Sequence, residues 1–142
     1  MRIVGAASGN SPNVEVFNGT TVVRSYLAFA PGFVGGVNVA AGDVNGDGIA
    51  DIIVGAVTGS NNVRVFDGVT NNMIANFQVP GTANAGVRVS VADIDQTTSD
   101  QVLAVVDGSS LIYRYRLVPN FAAETPFQAF STPLSGVFVG SM

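Results

Sequence analysis

The stretch Asp43-Val44-Asn45-Gly46-Asp47-Gly48-Ile49-Ala50-Asp51 is the densest run of potential chemistry in the chain. Oxygen-bearing side chains stand at its positions one, three, five and nine, and glycine stands at position six. A calcium loop uses glycine at position six for its sharp turn and a backbone carbonyl at position seven. Asp43, Asn45, Asp47, the Ile49 carbonyl and Asp51 are therefore the expected ligands of one hard cation. An EF-hand needs Glu at position twelve. Val54 holds that position, inside an expected strand, so Asp51 closes the site instead. An all-protein cage of oxygens favours calcium over magnesium. The rival reading is a plain polar hairpin, because Asp, Asn and Gly are ordinary turn formers. Three carboxylates so close together repel one another unless something neutralises them, which favours the metal.

A second acidic loop, Asp93-Ile94-Asp95-Gln96-Thr97-Thr98-Ser99-Asp100, keeps positions one and three. Thr97 replaces the carboxylate at position five, Thr98 replaces the glycine, and Asp100 arrives one residue early. Asp93, Asp95 and Asp100 are read as a weak, decayed site expected to be empty. Asp93 and Asp95 then serve as acceptors of backbone hydrogen bonds within the turn.

Composition closes off other chemistry. The chain has 142 residues and neither Cys nor His, which excludes disulfides, thiolate nucleophiles and imidazole bases. All six basic residues are Arg, spread along a chain of net charge −4, so no nucleic-acid footprint is expected. Apolar residues make up 47% and charged residues 11%, a balance that rules out disorder. The uncharged runs at residues 25–42 and 125–142 are broken by Pro, Gly and polar residues, so no membrane-spanning helix is expected. The remaining side chains suit binding better than catalysis.

The loops sit in a repeating frame. Gly36-Val37, Gly86-Val87 and Gly136-Val137 recur 50 residues apart, and Ile3-Val4-Gly5-Ala6 returns as Ile53-Val54-Gly55-Ala56 at the same interval. Asn13-Val14-Glu15-Val16-Phe17-Asn18-Gly19 returns as Asn62-Val63-Arg64-Val65-Phe66-Asp67-Gly68, 49 residues on. Each copy reads as four strands, as at residues 37–41, 51–57, 63–66 and 73–79, with Asp67-Gly68 opening a hairpin turn. No sustained helical period occurs. Four strands in about 50 residues is the size of one propeller blade. Face-to-face stacking of blades explains the continuous apolar runs, since both faces of the inner strands are then buried. It also explains small residues such as Gly55, where backbones approach closely. A sandwich of short strands is the rival, but it does not require the repeat.

The segment Val39-Ala40-Ala41-Gly42-Asp43-Val44-Asn45-Gly46-Asp47-Gly48-Ile49-Ala50-Asp51-Ile52-Ile53-Val54-Gly55 resembles the FG-GAP/VCBS repeat of integrin-like β-propellers. Blade-sized copies cover essentially the whole chain, but the metal motif is complete only once. The resemblance implies an all-β fold of four-stranded antiparallel blades, with calcium in the loop between a blade's first and second strands. It further implies an extracellular or secreted setting and a role in adhesion or ligand binding. The expected function is thus a calcium-stabilised binding or scaffold module for a protein or glycan partner, with no catalysis of its own. The alternative is a fragment of a secreted polysaccharide lyase or hydrolase built on the same repeats.

Residues 1–142 are taken as one propeller module of three blade equivalents: 36–85, 86–135, and 136–142 joined to 1–35 across chains. Three blades do not comfortably close, since known propellers have at least about four. A homodimer closing one six-bladed ring is the expected solution, with residues 136–141 of one chain beside residues 2–7 of the other. Glu15 and Arg64 hold equivalent positions with opposite charge, which suggests an exposed strand face. Tyr113, Arg114, Tyr115 and Arg116 read either as a ligand-binding ladder or, equally well, as plain alternation on a strand, one residue type per face. Phe121, Phe127, Phe130 and Phe138 are read as packing residues.

Overall fold

A computed structural model describes residues 1–128. The repeat materialises as three antiparallel sheets, and no helix occurs among the described residues. The first sheet holds β1 (Arg2–Gly5), β2 (Asn13–Asn18) and β3 (Thr21–Leu27) in that order. The second holds β4 (Val37–Gly42), β5 (Asp51–Ala56), β6 (Asn62–Phe66) and β7 (Met73–Gln78). The third holds β8 (Val87–Ala92), β9 (Gln101–Val106) and β10 (Leu111–Arg116). Its outer edge is shared by two short strands, β11 (Ala122–Ala123) and β12 (Phe127–Gln128), each paired with a different end of β10. Pro126 lies between them and cannot donate to the ladder, so the fourth strand of this copy is split.

The repeat extends to fine geometry. A register shift falls between Val16 and Phe17 where β2 meets β3, and between Val65 and Phe66 where β6 meets β7. Gly5 and Gly55 serve the same close approach. A Cβ on Gly5 would lie 2.7 Å from the Val37 carbonyl oxygen, and a Cβ on Gly55 would lie 2.7 Å from that of Val87. Each glycine thus lets the next sheet's first strand press against the second strand of its neighbour.

The sheets stack face to face. Val14, Val16 and Phe29 pack with Ile52, Val54, Ala56 and Phe66 between the first and second sheets. Ile53, Val63 and Val65 pack with Val87, Val89, Val91, Val102 and Ala104 between the second and third. β5 therefore sends Ile52 and Val54 into one core and Ile53 into the other, and all six of its residues are buried. This is the physical reason for its unbroken apolar sequence. Polar side chains also bridge the stack: Asn38 Nδ2 donates to the Val87 carbonyl at 2.7 Å, and Val89 N donates to Asn38 Oδ1 at 3.1 Å.

β10 shows the expected alternation. Tyr113 and Tyr115 pack toward the second sheet, while Arg114 and Arg116 both pair with Glu124. Phe121 lies against Phe77 and Tyr115, with ring centroids 5.1 and 5.9 Å away, yet both Phe121 and Phe127 remain exposed, at 50% and 42%. Phe130, Phe138 and the strand expected at residues 136–141 lie outside the described residues.

One expectation fails. Arg64 is not on an open face: it is half-buried, its Nη1 donates to the Ala28 carbonyl at 2.8 Å, and its guanidinium sits 4.9 Å from the Phe29 ring centroid. Its counterpart Glu15 is likewise half-buried. The first sheet covers the face that carries Arg64, whereas Glu15 shares with Val4 the face of the first sheet that no other described sheet covers, so the change of charge sign marks two different environments. No helix among the described residues is long and apolar enough to cross a membrane.

Candidate metal centre

The 43–51 loop joins β4 to β5 and is anchored by Val44, which is fully buried in the core between the second and third sheets. With Val44 inward, Asp43 and Asn45 flank it in half-buried positions, and Asp47 is exposed. Asp51 opens β5 opposite Gly42 and is fully buried.

The side chains wrap the loop by accepting its backbone N–H groups. Asp43 Oδ1 accepts from Gly46 N at 2.7 Å and Asp47 N at 3.1 Å, and its Oδ2 accepts from Gly48 N at 2.7 Å. Asn45 Oδ1 accepts from Asp47 N at 2.9 Å, and Asp47 Oδ1 accepts from Ile49 N at 2.8 Å. Gly48 has φ +84°, a left-handed conformation that glycine adopts without steric cost. Asp51 Oδ2 accepts from both Val44 N and Asn45 N at 3.1 Å, and its Oδ1 accepts from Gly68 N at 2.9 Å. Burial raises the Asp51 pKa, and these backbone donors oppose the rise.

The remaining oxygens converge. Asn45 Nδ2 lies 3.3 Å from Asp47 Oδ2, 3.3 Å from Asp51 Oδ1 and 2.9 Å from Asp67 Oδ2. One electropositive group is thus surrounded by oxygens of three carboxylates. The converging acceptors are carboxylate oxygens, with the Ile49 carbonyl in the same loop, while Asn45 turns its amide nitrogen to them and its oxygen to Asp47 N. That set fits a hard cation such as calcium and not a soft one.

Asp67 is the member that the sequence reading missed. The sequence marks it as the start of a turn, and it does make one. Its Oδ1 accepts from Val69 N at 2.9 Å and from Thr70 N and Oγ1 at 2.6 and 2.8 Å. Those bonds, the Thr70 ones foremost, hold its pKa below the ordinary value. The signal was topological. In an up-and-down sheet the first and third connections emerge at the same end, so the β6–β7 turn lies beside the β4–β5 loop.

The second loop is arranged differently. Asp93 is exposed. Asp95 Oδ1 accepts from Thr97 Oγ1 at 2.7 Å, Thr97 N at 3.2 Å and Gln101 Nε2 at 2.9 Å. These bonds, led by the Thr97 hydroxyl, lower its pKa. Asp100 Oδ2 accepts from Asp43 N at 3.0 Å, and Asp100 N donates to the Asp43 carbonyl at 2.7 Å, so Asp100 pins the first loop. Gln101, which the sequence reading did not single out, takes the place that Asp51 has in the second sheet.

A groove of about 400 Å³ opens beside Asn45, lined also by Ile74, Asn76, Leu117, Val118 and Phe121. It lies where β7 of the second sheet faces the residues that follow β10 of the third.

No curated protein and no solved structure matches the chain. Residues 35–66 match the family model described as the FG-GAP repeat, so this stretch, from the approach to β4 through the end of β6, is similar to the repeat that its acidic motif resembles.

Proposed function

We propose that this chain is a calcium-stabilised, propeller-type binding module for a protein or glycan partner in an extracellular setting, with no catalysis of its own. The observation that supports it most is the convergence of Asp47, Asp51 and Asp67 on Asn45 Nδ2, all but Asp67 lying within residues 35–66 matched by the FG-GAP model. Asp43, Asn45, Asp47, the Ile49 carbonyl and Asp51 hold the ion, with Asp67 beside them. Calcium bound there would neutralise the carboxylates and tie the β4–β5 loop to the β6–β7 turn. The groove beside Asn45 gives a partner's apolar side chain a place next to that loop.

Extracellular calcium modules bind at roughly 10⁻⁴–10⁻³ M. At millimolar calcium the linkage is then about 0.4–1.4 kcal/mol, a modest rise in stability. Thermal melts of the wild type should shift upward with calcium relative to chelator, and Asp47→Ala should abolish the shift. Identical wild-type melts in calcium and chelator would remove calcium from this reading.

We propose in addition that a second copy completes the first sheet, giving a homodimer that closes a six-bladed ring. β5 is paired on both sides, by β4 and β6, whereas its counterpart β1 is paired only with β2 among the described residues. Val54 is 0% exposed, but the equivalent Val4 is 46% exposed. The same sequence is a core strand in one copy and an open edge in the other, and such edges recruit strands.

A further inference from the structure

The two acidic loops differ most at one buried residue. Gln101 pairs opposite Ala92 at the entrance to β9, as Asp51 pairs opposite Gly42 at the entrance to β5. Both side chains are 0% exposed. Half of the role is common to both. Asp51 Oδ2 accepts from Val44 N at 3.1 Å, and Gln101 Oε1 accepts from the equivalent Ile94 N at 2.7 Å.

The other half is inverted. The second oxygen of Asp51 is a further acceptor, and it points at the group around which Asp47 and Asp67 also gather. The second terminal atom of Gln101 is a donor. Its Nε2 donates to Asp95 Oδ1 at 2.9 Å and to the Ser99 carbonyl at 2.9 Å. In the 50-residue repeat, Asp95 corresponds to Asn45, at position three of the loop, and Ser99 corresponds to Ile49, whose carbonyl is at position seven. The amide N–H groups thus reach two of the acceptors that a cation would hold. Asp95 has further partners in Thr97 and, at 3.9 Å, in Arg116 Nη1. The backbone is kept in part without glycine: Gln96 has φ 56° at the place where Gly46 has φ 82°, but Thr98 does not share the positive φ of Gly48 at position six.

We infer that the Gln101 side-chain amide substitutes for the metal ion in the 93–101 loop, so that this loop is built without a cation and the third sheet is independent of calcium. The comparison rests on the calcium reading of the 43–51 loop, but the folding role of Gln101 does not. Buried amides that satisfy both ends of a loop do the same crosslinking as an ion, with no charge to neutralise.

Hydrogen exchange at single amides, on the full chain, tests this. In wild type held in chelator, the Ile94 amide should be protected, and calcium should leave that protection unchanged. Gln101→Ala removes its acceptor and should speed Ile94 exchange roughly ten- to a hundredfold. Gln101→Glu keeps the shape but turns the donor into a carboxylate facing Asp95. It still offers Ile94 an acceptor, so in chelator Ile94 protection should fall less than in Gln101→Ala, and calcium, by relieving the repulsion from Asp95, should raise it again. Protection of Ile94 that requires calcium in wild type, or that survives both substitutions in chelator, would overturn the proposal. The Gly68 amide, bonded to Asp51, reports on the first loop separately. If it ignores calcium, the calcium reading fails while the chelator results still decide the role of Gln101.

Discussion

Arg64 shows how a single side chain joins two sheets. It rises from β6, and its guanidinium lies over Phe29 and reaches the Ala28 carbonyl just beyond β3. A partly desolvated cation over an aromatic ring contributes about 0.5–2 kcal/mol, and a hydrogen bond from a charged group adds roughly 1.5–3 kcal/mol. These terms overlap, and losing the aliphatic stem adds packing loss. Arg64→Ala should therefore destabilise by about 1–3 kcal/mol in urea unfolding. A change below about 0.5 kcal/mol, the size of an ordinary surface substitution, would show that this bridge contributes nothing. Arg64→Lys should recover only part of the loss, because an ammonium lacks the planar fork.

At the scale of elements, the stack depends on strands that come unusually close. Gly55 sits in the middle of three sheet layers, where Val87 O would be 2.7 Å and Val89 Cγ1 3.0 Å from an added Cβ. The obstacle is backbone of the neighbouring sheet, which cannot swing aside like a side-chain tip. Gly55→Ala should cost about 1–3 kcal/mol, as overpacking of cores does. Gly32→Ala is the matched control, since a Cβ there meets nothing within 4 Å. Equal denaturation midpoints for the two variants would show that the sheets are not packed this tightly in solution. The acidic loop is positioned by the same layering: Val44 inserts between sheets, and the carboxylates follow from where that anchor lies.

At the scale of the whole molecule, the three sheets form a stack whose first member, among the described residues, has an unpaired edge and exposed apolar side chains, with Val4, Val22 and Val23 each 45–49% exposed. The homodimer proposed above predicts one mass and one mutational signature. Sedimentation should give twice the chain mass. Val54→Ala should cost roughly 2–3 kcal/mol, as deletion of buried methyl groups does. Val4→Ala should cost a similar amount at high protein concentration and less on dilution, because its burial depends on the second copy. A folded species of single-chain mass that tolerates Val4→Ala at every concentration would refute closure by a second copy.

Much of this arrangement is legible in the sequence because repetition and alternation are direct consequences of strand geometry. Side chains alternate along a strand, so Val14 and Val16, or Val63 and Val65, announce a buried face. Unbroken runs such as Ile52-Ile53-Val54 announce burial on both faces. The repeat carries the strand order, and the spacing of Asp43, Asn45, Asp47 and Asp51 carries the loop, because its bonds close over only a few residues. What the sequence could not reveal lies between elements distant along the chain. Asp67 comes to Asn45 across 22 residues, Asp100 comes to Asp43 across 57, and Arg64 comes to Ala28 across 36. Spacing within one loop encodes local contacts, whereas these partners meet only when sheets align and stack. Gln101 belongs with them: its identity is plain in the chain, but only the tertiary structure decided that its amide stands where Asp51 presents a charge.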